Sequence, residues 1–458
     1  MRYAVISDVH GNYPALQAVM EDAARQGITQ FLFAGDYCIS GPWPDECVAA
    51  IRAVPGKHVI RGNEEKYLEN LVGKDQSLWT DGQMQVSYWC YRNISREHLE
   101  YLLDLPHTDD FECNGIGIHM AHSSVDFLGT YPFYTWNSVT VAERNRQAGA
   151  DPERILEDMA AEREQDPAFL EAVSGLEKGV YIFGHSHIQC SYIDEEAGIY
   201  LVNPGSCGIP LDGIRGSVPY TVLEITEAGQ VRILEKRVPF DKAGYIAALK
   251  QTGQFREANV WSRVIMRELA TAREHMYFFL KFTEQYAKDI GDERKPYAAD
   301  TWEKAYMLWN RPEILKADRG TELADRLLAF AENCSWEGAG EHIAEMIRSW
   351  VFEDWETMFA AVMDGRIVGM ASAMKTDYYP LPEVYPWVSC LFVSEEYRGQ
   401  RISGDLIDCA NRYLKERGFD RSYIPTEYTG LYEHYGYRYL RDIVNYGGGT
   451  DRLYVKEL

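Results

Sequence analysis

The sequence predicts two α/β domains in one chain, and three observations lead to that prediction. Residues 1–240 alternate short apolar runs with helical patterns, as chains that form α/β sandwiches do. A second alternation of helical and strand-like segments occupies residues 297–458. Between them lies a short polar stretch of turn and breaker residues, 291–296, at which we place the boundary. The predicted domains are therefore residues 1–292 and 293–458.

The first predicted domain has a core of buried strands and a helical extension. Continuous apolar runs predict the strands Tyr3–Ser7, Phe31–Ala34, Val59–Ile60, Ile116–Met120, Val180–Phe183 and Tyr200–Val202. Alternating residues over Tyr220–Ile225 and Val231–Arg237 predict a hairpin that turns at Gly229. From Asp241 to Asp289 apolar residues recur at three- and four-residue spacing, which is typical of helices. The core is thus residues 1–240, and the extension is residues 241–292.

The second predicted domain begins with helices and continues as a mixed α/β unit. Helical patterns cover residues 297–350, and the later segments are, in order, strands at Met358–Met363, Arg366–Lys375 and Trp387–Val393, a helix at about Ser403–Arg417, a strand at Ser422–Ile424, a short helix near Leu431–His434 and a strand that ends at Leu458. No internal repeat or low-complexity segment is present.

Composition excludes several classes of function. The formal net charge of −24 and the lack of a basic patch argue against tracking along nucleic acid. No apolar run approaches the roughly 18 residues of a membrane span, and the N-terminal segment lacks the features of a signal peptide. The nine cysteines show no CxxC spacing, and their odd number fits no closed disulfide framework. We therefore expect a cytoplasmic protein with reduced thiols and no membrane partner.

Five short motifs follow apolar strands in the first domain. They are Asp8-Val9-His10-Gly11-Asn12, Gly35-Asp36, Gly62-Asn63-Glu64-Glu65, His122 and Gly184-His185-Ser186-His187. The carboxyl ends of strands are where α/β sheets place their ligands. Imidazole, carboxylate and amide donors suit divalent Mn, Fe, Zn or Ni. A carboxylate can bridge two ions about 3.5–4 Å apart, and alternate residues of an extended Asp-x-His or His-x-His loop would project to one side.

These motifs, closed by Asn203-Pro204-Gly205-Ser206, resemble the calcineurin-like metallophosphoesterases, in particular their bacterial phosphodiesterase and diadenosine-polyphosphate hydrolase branch. The resemblance implies a four-layer αββα sandwich and a dinuclear metal site. It assigns Asp8, His10, Asp36 and His187 to one ion. It assigns Asn63, His122 and His185 to a second ion, with Asp36 as the bridge. A hydroxide shared by both ions would then attack phosphorus in line.

Glu64 departs from the family pattern. Many phosphatases of this superfamily carry histidine at that position, as the acid that protonates the leaving oxygen. A carboxylate with an ordinary pKa near 4.3 donates poorly at neutral pH, so we expect substrates with easier leaving groups, such as phosphoanhydrides or nucleotide-like phosphates. His119 is interpreted as a strand neighbour of His122, and Cys38 and Cys207 as small core residues.

The second domain contains a strand, a tight basic turn and a helix start, followed by a tyrosine-rich segment. The turn is Arg398-Gly399-Gln400-Arg401-Ile402-Ser403, and the later segment is Leu431-Tyr432-Glu433-His434-Tyr435-Gly436-Tyr437. Free N–H groups at a helix start bind pyrophosphate well. Together these features resemble the GNAT superfamily of acyl-CoA N-acyltransferases, over residues 297–458.

The GNAT resemblance implies an acetyl-CoA site and a catalytic acid. The implied cofactor-binding residues are Leu391, Val393, Arg398, Gly399, Gln400, Arg401, Ile402 and Ser403. Arg401 and Ser403 replace the family's two small residues, which limits the approach of the backbone to pyrophosphate. By family position Tyr432 would protonate the departing thiolate. Glu383 and Glu427 are candidates for the general base only because they lie near strand ends.

The sequence therefore predicts a bifunctional enzyme. It would combine metal-dependent hydrolysis of a small phosphorylated substrate with acyl transfer from acetyl-CoA to an amine acceptor. The alternative is a phosphoesterase whose degenerate GNAT domain is a regulatory or binding module without transferase activity.

Overall fold

The structure of this chain is a computed structural model that describes residues 1–129, 137–145, 151–336, 338–363 and 366–458. The chain forms two compact units, which we name the N-terminal unit (Met1–Tyr306) and the C-terminal unit (Met307–Leu458). The predicted domain boundary after residue 292 lies upstream of this division and stays a prediction. None of the described helices is both long and apolar enough to cross a membrane.

The N-terminal unit contains two five-stranded mixed sheets among its described residues. Its strands are β1 (Arg2–Ile6), β2 (Gln30–Phe33), β3 (Gly56–Val59), β4 (Thr108–Cys113), β5 (Ile116–Ala121), β6 (Gly179–Ile182), β7 (Gln189–Asp194), β8 (Ile199–Pro204), β9 (Ser217–Ile225) and β10 (Val231–Pro239). The first sheet has the order β10-β9-β1-β2-β3, and the second has the order β4-β5-β6-β8-β7. The predicted hairpin is present as β9 and β10, which pair antiparallel.

Helices of the N-terminal unit cover the outer faces of its sheets and form the predicted extension. They are α1 (Tyr13–Arg25), α2 (Pro44–Ala53), α3 (Asn63–Glu69), α4 (Gln85–Asn93), α5 (Arg96–Leu103), α6 (Val125–Leu128), α7 (Ser138–Arg144), α8 (Pro152–Glu164), α9 (Pro167–Ser174), α10 (Lys242–Leu249), α11 (Gly253–Glu257), α12 (Asn259–Thr271), α13 (Met276–Asp289) and, across the division, α14 (Ala299–Trp309).

The cores of this unit define four layers. Side chains that alternate along each strand point to opposite faces, so Val5 and Leu32 face the second sheet while Ile6 and Phe33 face the helices. The buried residues between the sheets include Tyr3, Val5, Leu32, Ile118, Met120, Val180, Ile182 and Val202. A separate cluster joins α9 to the outer face of the second sheet. The predicted αββα arrangement is confirmed.

The C-terminal unit is a single seven-stranded sheet with helices on both faces. Its elements are β11 (Glu313–Lys316), α15 (Glu322–Glu332), α16 (Ala339–Ser349), β12 (Thr357–Met363), β13 (Arg366–Met374), β14 (Trp387–Val393), α17 (Ile402–Glu416), β15 (Arg421–Thr426), β16 (Arg438–Val444) and β17 (Thr450–Glu457). The strand order is β11-β12-β13-β14-β15-β17-β16. Helices α15 and α16 pack on one face, and α17 packs on the other. The predicted mixed α/β class is confirmed for this unit as well.

One gap in the pairing of this sheet is important for the site described below. Strands β14 and β15 are parallel neighbours, but the only pair recorded in their register is Trp387 with Tyr423, at the start of β14. The two strands therefore diverge beyond that pair. This divergence opens the sheet between its two helical faces.

Candidate active sites

The motifs of the N-terminal unit lie where the parallel strands of both sheets end. Strands β1, β2 and β3 are parallel neighbours, and so are β5 and β6. Asp8 follows β1, Asp36 follows β2, and His122 directly follows β5. Asn63 opens α3 after β3, and His185 and His187 follow β6. The sequence thus brings seven residues from five loops to one edge of the sandwich.

Five of these residues have a left-handed backbone. The φ angles are 54° at Asp8, 51° at His10, 58° at Asp36, 67° at His185 and 60° at His187. The expectation that Asp-x-His and His-x-His use an extended backbone is wrong, because a positive φ turns the chain sharply at each residue. Consequently His185 and His187 point to different groups of donors, whereas Asp8 and His10 share one.

The first group consists of Asp8, His10 and His187. The Nε2 atoms of the two histidines are 2.9 Å apart, and Asp8 Oδ1 lies 3.4 Å from His187 Nε2. The other ring nitrogen of each histidine faces a backbone carbonyl, at 3.3 Å for His10 and Ile39 and at 2.9 Å for His187 and Ile209. These carbonyls accept a hydrogen bond from Nδ1, so Nε2 is the nitrogen of each ring that can bind a metal ion once its proton is displaced.

The second group consists of Asp36, His122 and His185, with Asn63 beside it. His122 Nδ1 donates to the Ala34 carbonyl at 2.7 Å, and its Nε2 lies 3.2 Å from Asp36 Oδ2. Asn63 Oδ1 is buried and has no hydrogen-bond partner among the described residues. Donor atoms of Asp36 also lie within 4.8 Å of one from His10, so Asp36 stands between the two groups.

Both groups fit a divalent cation. Without an ion, the Nε2 atoms of His10 and His187 at 2.9 Å, and His122 Nε2 with the Asp36 carboxylate at 3.2 Å, are held together by protons. A divalent cation can replace those protons and be ligated by the same atoms. An orphaned amide oxygen such as Asn63 Oδ1 costs about 1–3 kcal/mol, which a bound ion would offset. The mixed nitrogen and oxygen donors suit Mn, Fe, Zn or Ni.

Charges within the site already compensate one another through protons. Burial opposes ionisation of Asp8, but the neighbouring histidines, above all His187, hold its pKa well below the usual range. Burial likewise disfavours a charged His122, yet Asp36 raises its pKa to about 10. His185 differs, because burial and then His122 lower its pKa. The carboxylates thus demand positive charge, which protons supply here and metal ions would supply when bound.

Glu64 supports His10 and does not have the ordinary pKa that the sequence led us to expect. Burial raises the pKa of Glu64 to about 8, and that expectation is therefore wrong. Both carboxylate oxygens are engaged, since Oε1 lies 3.0 Å from His10 Nδ1 and Oε2 accepts from the Ile39 N–H at 2.9 Å. A carboxylate that holds the far nitrogen of an imidazole fixes its tautomer and its orientation.

Glu65 is a residue whose role sequence reasoning missed. Its buried carboxylate accepts hydrogen bonds from the backbone N–H groups of Asp36, Tyr37 and Gly62 at 3.1, 2.9 and 2.8 Å. It thereby ties the loop after β2 to the start of α3. The sequence pattern that could have revealed this role is a glutamate at the third position of a helix whose N-cap residue is glycine. A Cβ atom at Gly62 would lie 2.2 Å from Asp36 Oδ1, so only glycine permits this approach.

His119, which we interpreted as a strand neighbour of His122, lies on β5. Its Nδ1 is 2.6 Å from Asp110 Oδ1 on β4, and its ring stacks on Tyr181 at 4.7 Å. It belongs to none of the candidate metal-binding groups of the described residues. Cys38 and Cys207 are fully buried in the core, as the sequence predicted.

The C-terminal unit has a phosphate-type cradle at the start of α17. Arg401 precedes the helix with φ 61°, the conformation that a glycine would adopt there without strain. Asp405 is the first residue whose N–H bonds within the helix, to Arg401 O, so the N–H groups of Ile402, Ser403 and Gly404 have no intrahelical acceptor. With the exposed Arg401 side chain beside them, these groups fit a diphosphate.

The other predicted acetyl-CoA residues surround that cradle. Leu391 and Val393 lie on β14 next to a left-handed Cys390, at which the pairing of β14 with β13 shifts register. Arg398 is held inside the turn, because its Nε donates to Val393 O at 2.9 Å. Other contacts of the turn are Gln400 Oε1 with Asn310 Nδ2 at 3.0 Å, and Ser403 Oγ with Tyr435 OH at 2.9 Å. Gly399 has φ 80° and open space around it.

Tyr432 begins a short 3-10 helix (Tyr432–Tyr435) on the α17 face of the sheet. It is buried, and its ring lies about equally far from the rings of Tyr437 and Tyr454, at 6.4 and 6.2 Å. Burial raises the pKa of Tyr432 to about 12. The hydroxyl therefore keeps its proton at neutral pH, as the predicted acid must.

Comparison with known proteins finds that parts of this chain match two family models. Residues 1–196 match the family model for calcineurin-like phosphoesterase, and residues 325–437 match that for the acetyltransferase (GNAT) family. An uncharacterized protein of Methanocaldococcus jannaschii is 27% identical over 232 residues, which are 46% of this chain and 78% of that protein.

Two solved structures give similarities of the same kind. A metallophosphoesterase from Sphaerobacter thermophilus is 24% identical with a TM-score of 0.41, over 59% of this chain and 100% of that one. An aminoglycoside 6'-N-acetyltransferase from Enterococcus faecium is 20% identical with a TM-score of 0.27, over 32% of this chain and 96% of that one. Both matching families are families of enzymes. The chain thus carries a calcineurin-like phosphoesterase domain followed by a GNAT-family acetyltransferase domain.

Proposed function

We propose that this chain is a bifunctional cytoplasmic enzyme. Its N-terminal unit would hydrolyse a phosphodiester or phosphoanhydride with two divalent metal ions, and its C-terminal unit would transfer an acyl group from acetyl-CoA to an amine. The nine cysteines are all unpaired, which supports a reducing compartment.

The observation that carries the phosphoesterase proposal is the convergence of metal-donor atoms at the edge of the sandwich. His10 and His187 present Nε2 atoms 2.9 Å apart beside Asp8, and His122 presents its Nε2 to Asp36. Bound metal ions would supply Lewis-acid activation of the phosphoryl group and of the attacking water. The protein would hold these ions through Asp8, His10 and His187 on one side and Asn63, His122 and His185 on the other, with Asp36 between them.

The contacts of Glu64 favour substrates with good leaving groups. Both of its oxygens are engaged by His10 and Ile39, so this carboxyl group is not directed at a leaving oxygen. His119, the other histidine near the site in sequence, is paired with Asp110. A nucleotide-like phosphoanhydride, which leaves as a stable anion, therefore remains the substrate class that we propose.

Metal analysis of the full chain tests the proposal. Protein saturated with Mn should hold close to two ions per chain and should hydrolyse aryl phosphodiesters. Asp36→Asn should lose at least one ion and nearly all hydrolysis with an unchanged circular dichroism spectrum, because Asp36 contributes charge to both groups. Asp110→Asn, an exposed aspartate of the same unit, is the matched control and should retain both properties. One ion or none in saturated wild type would contradict a dinuclear site.

The transferase proposal rests on the cradle at α17 and on the divergence of β14 and β15. Calorimetry should detect acetyl-CoA binding to the full chain, and thiol release in the presence of amines should detect transfer. Arg401→Gly tests the cradle directly, since tighter binding would identify the side chain as an obstruction and weaker binding would identify it as a phosphate ligand. Binding without transfer to any amine would support the alternative, a regulatory acyl-CoA module.

A further inference from the structure

A polar cluster lies on the α15 and α16 face of the C-terminal sheet, beside the divergence of β14 and β15. Ser372 on β13 and Ser389 on β14 are directly opposite each other, so their side chains share one face of the sheet. The Ser389 hydroxyl donates to Asp377 Oδ2, in the segment that joins β13 to β14. Because β14 and β15 pair only at Trp387 and Tyr423, Ser389 and Asp377 stand at the edge of the opening.

A second carboxylate, Asp451 at the start of β17, faces the same cluster. Its Oδ2 accepts from Tyr379 OH at 2.8 Å and from Asn445 Nδ2 at 3.0 Å. Tyr379 lies two residues after Asp377, so its hydrogen bond brings Asp451 to the same segment. Burial raises the pKa of Asp377, and the charge of Asp451 adds to that effect. Within the described part of the chain, no lysine, arginine or histidine forms an ion pair with either carboxylate.

Two buried polar groups next to these carboxylates also lack ordinary partners. Trp387 is 1% exposed, its ring stacks on Tyr379 at 5.7 Å, and its Nε1 has no hydrogen-bond partner among the described residues. Ser372 Oγ is buried as well, and the Cys390 thiol is one of its neighbours. Two carboxylates without a cation indicate a place for a positively charged ligand, and the Trp387 N–H is a donor that an acceptor atom of a bound substrate would satisfy.

We propose that Asp377 and Asp451 form the acceptor site for a cationic primary amine, and that Asp377 is the general base for its acylation. This inference rests on the proposed transferase function and adds to it the class of acceptor and the base. The site lies on the α15 and α16 face, whereas the cradle lies at the start of α17, on the other face. The opening between β14 and β15 connects the two faces, so an amine on one side can meet a thioester that enters from the other.

In the proposed reaction, Asp377 removes one proton from the ammonium group and becomes a neutral carboxylic acid. The freed nitrogen lone pair attacks the thioester carbonyl carbon, so that a C–N bond forms and the C–S bond breaks. The sulfur leaves as a thiolate with the bonding electrons, and the amine retains the acyl group as an amide after it loses its second proton to water. Asp451 keeps its charge throughout and binds the ammonium group before Asp377 deprotonates it.

Direct binding measurements test the site without any need for turnover. Calorimetry on the full chain would compare tyramine and 1,5-diaminopentane with their neutral alcohols, tyrosol and 1,5-pentanediol. We expect at least one amine to bind 10-fold or more tightly than its alcohol, and Asp377→Asn and Asp451→Asn to remove that preference. Glu341→Gln on α16 and Glu416→Gln at the end of α17 are matched controls, because both glutamates are exposed and neither has a role in the proposed site, and they should leave binding unchanged.

Kinetic measurements then separate the two carboxylates. With acetyl-CoA and the best amine, Asp377→Asn should lower kcat by about 10²–10⁴-fold, the usual contribution of a general base, whereas Asp451→Asn should mainly raise KM. Thermal unfolding of each variant identifies any that fails to fold, and Asp377→Glu then serves as the second test, with partial activity expected.

The outcomes distinguish this inference from the proposed function. Failure of wild type to bind acetyl-CoA would overturn the transferase function, whatever the amines do. Acetyl-CoA binding together with equal binding of amines and alcohols would overturn the acceptor site alone. Full amine transfer by a folded Asp377→Asn variant would overturn the role of Asp377 as base.

Discussion

At the scale of single residues, the metal-binding loops hold an unfavourable backbone conformation before any ion is bound. A left-handed conformation costs an ordinary residue roughly 1–2 kcal/mol, and five predicted ligands adopt it. Hydrogen bonds between loops compensate for this, since Asp8 N–H donates to Gly35 O and His10 N–H donates to Asp36 O, both at 3.0 Å. The folded protein therefore fixes the positions of the ligands, and bound metal need not do so.

Glu64→Gln should weaken metal binding without loss of the fold. A glutamine at this position can still accept from Ile39 N–H, but it no longer presents a carboxylate to His10 Nδ1. Loss of such an outer-shell partner typically costs about 10–100-fold in metal affinity. Competition with a chelating dye would measure the affinity for Mn.

Glu21→Gln, on the exposed face of α1, is the control for that experiment and should bind metal as wild type does. An unchanged affinity of Glu64→Gln would mean that the Ile39 carbonyl alone suffices to orient His10.

At the scale of elements, the turn between α12 and α13 buries two carboxyl groups. Glu268 Oε1 accepts from the N–H groups of His275 and Met276 at 2.9 and 2.7 Å. Glu274 accepts from Tyr277 N–H and from Ser138 Oγ at 2.8 and 2.7 Å. Burial raises the pKa of Glu268 well above the usual range, and the nearby Glu274 adds to the shift.

Glu268→Gln should stabilise the protein at neutral pH. A carboxyl group with a raised pKa in the folded state contributes fully below its unfolded pKa near 4.5, and that contribution is lost as pH rises toward the folded value. Glutamine needs no proton and keeps the oxygen that accepts both N–H groups. We expect a gain of about 1–3 kcal/mol at pH 7 that disappears near pH 4, measured by urea unfolding. Glu303→Gln, exposed on α14, should show no such dependence on pH.

The start of α17 offers a second test at this scale. Arg401 occupies a left-handed position that favours glycine, so Arg401→Gly should raise the opening free energy of α17 by about 1 kcal/mol. Hydrogen exchange of the amides of α17 would measure this change. Arg412→Gly, at an exposed position within the same helix, should lower the opening free energy of α17 by about the same amount. Equal destabilisation by both variants would show that the left-handed residue carries no strain.

The sequence predicted most elements because their strands are apolar and buried on both faces, as β1, β2 and β6 are. The sequence analysis missed β4, β7, β11 and β16, whose residues are mostly polar and partly exposed. These segments are strands because they pair with a neighbouring strand, and their own residue pattern does not show it. For the metal site, the order of the five motifs along the chain was sufficient to predict which residues converge at the edge of the sandwich. The left-handed loops and the role of Glu65 depend on contacts between distant segments, which one sequence does not display.

At the scale of the whole molecule, the two proposed activities should be separable. All candidate metal-binding groups found among the described residues lie in the N-terminal unit. A chelator should therefore abolish hydrolysis and leave the affinity for acetyl-CoA within about twofold, and added Mn should restore hydrolysis. Parallel calorimetry and phosphodiesterase assays on one preparation would measure both. Loss of acetyl-CoA binding on chelation would reveal a dependence of the second unit on metal.

The position of β17 affects how the chain is made. β17 pairs with both β15 and β16, although it follows them in sequence. The chain therefore contains β15 and β16 before it contains the strand that joins them, and their edges have no partner until β17 is added. The N-terminal unit has all its described strands by Pro239 and can close its sheets earlier in synthesis. The C-terminal unit thus cannot close its sheet until β17 has been made, and a chain truncated within residues 427–449 would leave β15 with an open edge.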